Sequence, residues 1–351
     1  MNILLCSLYY EKKRVTGANK RFDFFGKYLM KSNGVSVTTI VRDGEIPSWA
    51  SNVIILPRYE KLPSILRRIL YCLHLTVLFS KNTGVVINDF MPVPIWFSKK
   101  NTYYQLVHDI RNFTDYNRAD LKKLSTLFQK LQWKSVPKVL TVSEFTKKQL
   151  ICNCDVKSEN IFISYNGIEE EHRSPSVRDI DFMYIATFEK RKNHINLIKA
   201  FYSYIQNINP DACMYLVGRD LGFRDIILKL VEQLNLEKSV VFVDAVTENE
   251  LNVLYERTRC FISPSLYEGF GMPIIEAMYF GCNIACSDIE VFREIAAEHA
   301  TYFDPCDSES IMKGMQLSLI NSNDDLDTIH YVKSKFLWNS ITADFLKLVG
   351  K

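Results

Sequence analysis

Two glutamates, Glu268 and Glu276, bracket a glycine turn: Glu268-Gly269-Phe270-Gly271-Met272-Pro273 runs into Ile274-Ile275-Glu276. Their surroundings set the chemistry they can do. The apolar run Cys260–Ile262 reads as a buried strand and Asn283–Cys286 as a second. Between them, Pro273 stands where a first helical residue belongs and Gly281 where a left-handed cap ends a helix, which predicts a helix over Pro273–Phe280. A helix start offers unpaired N–H groups and the positive end of its dipole, and glycines ahead of it let the backbone approach a ligand. Strand, glycine loop and helix together therefore favour an anion, phosphate above all. Carboxylates do not bind phosphate, but they accept hydrogen bonds from hydroxyls on its flanks, such as those of sugars. A diphosphate with a sugar at each end is a nucleotide sugar. Taken alone, Glu276 is equally a first-turn carboxylate favoured by the dipole, and Glu268 a plain loop acid.

The wider run resembles a known pattern. With Ser263-Pro264-Ser265-Leu266-Tyr267 before it and Ala277-Met278 after it, E-G-F-G-M-P-I-I-E matches the Glu-x7-Glu signature of the retaining glycosyltransferases of family 4, which have the GT-B fold. The resemblance implies an α/β chain of two Rossmann-like, doubly wound parallel-sheet domains facing across a cleft. It implies an acceptor domain over 1–168, a donor domain over 169–335 that holds the nucleotide sugar, and a last helix within 336–351 that crosses back to the first domain. Glu268 would hold the transferred sugar and Glu276 the ribose, with Gly269, Phe270 and Gly271 forming the donor loop. Phe188-Glu189-Lys190-Arg191-Lys192-Asn193 is similar to the family's R-K-N loop, so Arg191 and Lys192 would meet the diphosphate; Thr187 stands where many relatives carry arginine. Val107-His108-Asp109-Ile110 resembles the stretch whose histidine faces the donor sugar, which makes His108 a site residue. Of the family's usual first-loop glycine pair only Gly17 remains, a donor-phosphate contact or simply a turn glycine. The resemblance further implies transfer with retention at the anomeric carbon and no metal or other cofactor. It also implies a glycan acceptor, with a lean to GDP-mannose as donor; the basic first half and the Leu121–Lys134 helix suggest that this acceptor is polyprenyl-diphosphate-linked, in O-antigen or capsule assembly.

The elements that would position these residues alternate along the chain. Met1–Leu8 opens as an apolar strand, a helix follows over Lys20–Lys31 and ends before Gly34, and Val35–Val41 alternates like a second strand. Tyr103–Val107 is a strand that delivers His108 at its carboxyl end, where open α/β sheets bind ligands. Val139–Ser143 is a strand and Ser143-Glu144-Phe145-Thr146 starts a helix, with Tyr165-Asn166-Gly167-Ile168 as the exit from the first half. In the second half, Phe182–Thr187, Met214–Gly218 and Val240–Val243 are strands, Ile195–Tyr204 a helix, and Trp338–Val349 a final helix.

Composition narrows the class of protein. The chain has 351 residues, 47% hydrophobic and 24% charged, ordinary for a globular chain of two cored domains. Nine cysteines, an odd number without paired ligand spacing, point to reduced thiols in a cytoplasmic chain and away from zinc. Charge is uneven: residues 1–168 hold 25 Lys and Arg against 12 Asp and Glu, and residues 169–351 hold 18 against 28. A basic first half suggests an anionic partner surface, an anionic membrane rather than nucleic acid, for which no recognition module is present. Leu121–Lys134 reads as a basic amphipathic helix ending near Trp133, a pattern of the membrane interface as well as of ordinary core packing. Leu62–Phe79 is apolar but interrupted by Arg67 and Arg68; it is a buried helix or one lying on a membrane, too short in its uncharged part for the ~20 residues of a span. The expected location is thus cytoplasmic, peripheral on the inner membrane face. Competing readings are a same-fold sugar-phosphate synthase or phosphorylase, and a non-catalytic scaffold that binds nucleotide sugars.

Overall fold

The computed structural model describes residues 1–12, 16–89, 91–113, 124–171, 177–244, 246–320 and 325–350. They fall into two compact units: Met1–Glu169 with Phe336–Lys351, and Glu170–Lys335.

The first unit is built on strands β1 (Asn2–Cys6), β2 (Ser36–Arg42), β3 (Asn52–Leu56), β4 (Val85–Asp89), β5 (Thr102–Val107), β6 (Val139–Thr141) and β7 (Ile161–Ile163). Every pairing is parallel, in the order β3-β2-β1-β4-β5-β6-β7. Strands covered on both faces need near-continuous apolar runs, and β4 is buried at all five positions. Its helices are α1 (Gly17–Lys31), α2 (Ser64–Lys81), α3 (Leu124–Ser135) and α4 (Glu144–Cys154). The first starts three residues before its expected Lys20, because Thr16 caps it by accepting from the Asn19 N–H at 3.2 Å. Ser143 caps α4 in the same way, accepting from the Thr146 N–H at 3.0 Å.

The second unit carries β8 (Ile180–Ile185), β9 (Met214–Val217), β10 (Val240–Val243), β11 (Thr258–Ser263), β12 (Asn283–Ser287) and β13 (Thr301–Phe303), all parallel, in the order β10-β9-β8-β11-β12-β13. Its helices are α5 (His194–Asn207), α6 (Arg224–Gln233), α7 (Glu248–Arg257), α8 (Met272–Tyr279), α9 (Glu290–Ala296) and α10 (Ser308–Ile320), and α11 (Asp325–Phe336) ends at the join. The last helix, α12 (Trp338–Val349), packs on α1: Phe25 lies 5.3 Å from Phe345 and 6.4 Å from Trp338, ring to ring.

Both sheets are doubly wound, and each has one place where the strand order reverses, between β1 and β4 and between β8 and β11. Loops leaving the carboxyl ends of such a pair diverge and open a crevice, the general ligand position of open α/β sheets.

Two helices differ from expectation. Leu121–Lys123 lie outside the described residues, and within α3 Trp133 is buried against Phe113, at 5.3 Å between ring centres, so it is not offered to a membrane interface. By contrast α2 is neither fully buried nor amphipathic. Tyr71, Leu75 and Phe79 enter the core, while Ile65, Leu66, Ile69, Leu73 and Val77 are exposed. Among the described residues no helix is long and apolar enough to cross a membrane.

Candidate functional site

In the second unit, the loop after β8 and the loop after β11 meet at the reversal point. The Leu266 N–H donates to the Arg191 carbonyl at 2.9 Å, and the Arg191 guanidinium returns a bond to the Tyr267 carbonyl at 3.0 Å. Asn193, in left-handed conformation at φ +59°, pins the junction by donating from Nδ2 to the Pro264 and Pro305 carbonyls at 3.1 and 2.7 Å. That turn aims two consecutive cations at one carboxylate.

Glu268 is the carboxylate between them. Its Oε2 lies 3.2 Å from Arg191, its Oε1 pairs with the Lys192 ammonium, and Ser265 Oγ donates to Oε1 at 2.8 Å. Behind Ser265 stands the buried Tyr184, its hydroxyl 2.9 Å from Ser265 Oγ and 3.0 Å from the Lys192 carbonyl oxygen. Arg191 is shared with Glu189 at 2.8 Å, and Thr187 Oγ1 donates to that same Glu189 oxygen at 2.8 Å. Thr187, at the expected arginine position, thus supports an acid rather than adding a cation. Burial pushes the Glu268 carboxyl up, but Lys192 and Arg191 outweigh it and hold the group at about 2. Burial lowers Lys192, with Glu268 opposing. The expectation set Arg191 and Lys192 on a diphosphate and Glu268 on a sugar; in the structure the three, all largely withdrawn from solvent, neutralise one another.

The glycine loop behaves as its composition requires. Gly271 has φ +107° and opens α8, and an added Cβ would lie 2.8 Å from the Phe292 ring. Phe270 is buried, Gly281 closes the helix region at φ +73°, and no side chain caps the helix start. Glu276 is the fifth residue of α8, one position deeper than the first-turn placement read from sequence, because the helix begins at Met272. Its Oε2 accepts from the buried Tyr255 hydroxyl at 2.8 Å, and Tyr255 itself is stacked on Phe280 at 5.4 Å.

The first unit has its own polar chain at its reversal point. Ser7 follows β1, Asp89 ends β4 and His108 follows β5. Ser7 Oγ donates to Asp89 Oδ2 at 2.9 Å, and His108 Nε2 lies 2.7 Å from Asp89 Oδ1. Asp89 is buried and His108 partly so. A carboxylate at Nε2 keeps the imidazole proton there and leaves Nδ1 as the second nitrogen. Gly17 is the exposed first residue of α1, next to its cap. Sequence reasoning missed Asp89, Ser7, Glu189, Ser265 and Tyr255. Only strand ends were available as a signal for the first two, since Asp89 is the last residue of β4 and Ser7 the first after β1.

Comparison with known proteins adds to this geometry. Residues 168–335 match the family model described as glycosyl transferases group 1. The O-antigen chain mannosyltransferase RfbU of Salmonella typhimurium is 32% identical over 209 residues, 58% of this chain and 57% of the relative. The N-acetylgalactosamine-N,N'-diacetylbacillosaminyl-diphospho-undecaprenol 4-alpha-N-acetylgalactosaminyltransferase of Campylobacter jejuni is 24% identical over 217 residues, 60% of this chain and 53% of that one. These matches span less than two thirds of either relative's own length. Among solved structures, the sucrose-phosphate synthase of Thermosynechococcus elongatus superposes with a TM-score of 0.81 at 18% identity, over 99% of this chain and 98% of that chain, a likeness of fold alone. The fold is GT-B, and Arg191, Lys192, Glu268 and Glu276 all lie within the residues that match the model of the group 1 glycosyl transferases.

Proposed function

We propose that the chain transfers a hexosyl group from a nucleoside-diphosphate sugar to a glycan acceptor in surface-polysaccharide assembly. The observation that carries this is the convergence of two consecutive, partly buried cations, an uncapped helix start and the Glu268 carboxylate where the β8 and β11 loops meet. On binding, the diphosphate takes over Arg191 and Lys192, whose charges meet the negative charge that grows on the leaving group without reorganising at the moment of reaction. Glu268, released from its ion pairs, accepts from hydroxyls of the transferred sugar, and Gly269, Phe270 and Gly271 line the approach to the phosphates. Glu276, steadied by Tyr255, accepts from the ribose. In the first unit His108, its ring set by Asp89, and Gly17, at the start of α1, are the candidate residues.

In the transfer itself, the bond from the sugar's anomeric carbon to the diphosphate breaks and one to the acceptor hydroxyl oxygen forms. The hydroxyl proton leaves with a phosphate oxygen of the departing nucleoside diphosphate, so no carboxylate need act as a covalent nucleophile and none of these roles calls for a metal or other cofactor. This differs from the carboxyl pair that flanks the scissile bond in glycosidases. Retention of configuration follows from the family resemblance. Mannose, carried by GDP, is the favoured sugar, supported by the name of the Salmonella relative; the diphospho-undecaprenol in the Campylobacter relative's name supports a polyprenyl-diphosphate-linked acceptor at the cytoplasmic membrane face.

The test is nucleoside diphosphate release from a panel of GDP-, UDP- and dTDP-sugars, with and without a polyprenyl-diphosphate glycan. Release of GDP from GDP-mannose, stimulated by the acceptor, is expected. Absence of release from every sugar nucleotide overturns the reading and leaves a non-catalytic binding protein.

A further inference from the structure

Helix α2 carries apolar residues on both its faces, yet it lies on the surface. Tyr71, Leu75 and Phe79 fill the core side. Ile65, Ile69, Leu73 and Val77, each four residues after the last, form a ridge on the other side that is 71%, 48%, 42% and 47% exposed. Leu66 widens it at 50%. The segment after β4 extends this surface. The Ile95 N–H donates to Thr76 Oγ1 on α2 at 2.9 Å, and Asn101 Nδ2 donates to the Phe79 carbonyl at 2.6 Å, so residues 95–101 run along the helix's C-terminal half. On that segment Ile95 and Trp96 are more than half exposed. Contiguous exposure of this kind is rare unless something covers it.

Charge says what covers it. Residues 61–100 hold six cations (Lys61, Arg67, Arg68, Lys81, Lys99 and Lys100) and a single acid, Asp89, which is buried. None of the six makes an ion pair among the described residues. Lys61, Arg67 and Arg68 lie at the amino end of the ridge, and Lys81, Lys99 and Lys100 at its carboxyl end. A second copy docked through the same patch would set cation against cation, since a two-fold interface places each surface opposite itself. A bilayer with anionic headgroups offers apolar depth to the ridge, an interfacial level to Trp96 and phosphates to both cationic ends at once.

We propose that α2 and the Ile95–Trp96 turn lie flat in the headgroup region of an anionic membrane and so hold the first unit at the surface where a lipid-linked acceptor is presented. The proposal deepens the function above and rests on its lipid-linked acceptor for its purpose, but binding to lipid is measured without donor or acceptor, so each can fail alone.

The experiment is co-sedimentation of the whole protein with vesicles of equal parts phosphatidylglycerol and phosphatidylethanolamine, and with phosphatidylcholine alone, at low and high salt. The wild-type protein is expected on the anionic vesicles at low salt, with a tryptophan emission that shifts to the blue and loses that shift in Trp96→Phe. Replacing Ile69→Asp with Leu73→Asp should cut the bound fraction at least about tenfold, and Arg67→Gln with Arg68→Gln about fivefold for each charge at the surface. Leu317→Asp, an exposed apolar position of α10, serves as the control and should bind as wild type. Melting curves confirm that each variant is folded. The proposal is overturned if wild type stays in the supernatant, if the α2 variants sediment undiminished, or if gel filtration shows a dimer that those variants split.

Discussion

A carboxylate set between two cations carries a signature in acid. Glu268 sits at about 2 in the folded chain, against an ordinary value of 4.5. A folded value below the unfolded one means that the group stabilises the fold fully above about pH 4.5, and that this contribution is lost as pH falls from there through about 2. Its size is bounded at roughly 3 kcal/mol. Urea melts of Glu268→Gln and wild type should therefore differ most at neutral pH and converge in acid; a difference independent of pH would refute the ion-paired state. At His108 geometry decides, through the 2.7 Å contact of its Nε2 with Asp89. Asp89→Asn keeps the shape but offers an amide to Nε2, so kcat should fall about tenfold or more with little change in donor affinity, whereas a purely structural Asp89 would lower the melting temperature and leave kcat of the folded fraction unchanged. Arg191, Lys192, Glu268 and Glu276 were legible as candidates because motif and residue type sit together in the chain. Asp89 was not: its partners Ser7 and His108 are 82 and 19 residues away, and only parallel strand pairing brings the three together.

Helix α8 illustrates how far local signals carry. Pro273 and Gly281 located it in the sequence to within a residue at each end, since both act through backbone conformation. The depth of Glu276 within it was misjudged by one position, because Gly271, not Met272, became the cap. Gly271→Ala places a Cβ in a conformation strained by about 1–2 kcal/mol and against Phe292. Thr247→Ala, which removes the capping box of α7, costs about 1 kcal/mol. Both should lower the melting temperature, but only the glycine variant should weaken nucleoside diphosphate binding; equal affinities in the two would separate the loop from the ligand. For α2 the sequence left burial and membrane contact open. A helix apolar on all sides does not say which face its sheet will take, and that choice is made by Tyr71, Leu75 and Phe79 against distant strands.

Across the whole chain, alternation of strands and helices was enough to announce an α/β fold, while strand order was not readable, because crossovers rather than propensities decide which strands neighbour β1 and β8. The charge asymmetry was visible from counting, but its concentration around one exposed apolar ridge appears only when residues 61–82 and 95–101 lie side by side. Both units place polar side chains at the reversal of strand order, and the account stands on what the second unit binds there. Thermal shift with GDP, UDP and their sugars, on wild type and on Arg191→Ala and Lys192→Ala, addresses that directly, since a ligand of the native state raises its apparent stability. At least one nucleoside diphosphate should raise the wild-type melting temperature by several degrees and leave both variants nearly unmoved. A wild type indifferent to all of them, or variants that respond as fully as it does, would contradict the assignment of the diphosphate to Arg191 and Lys192.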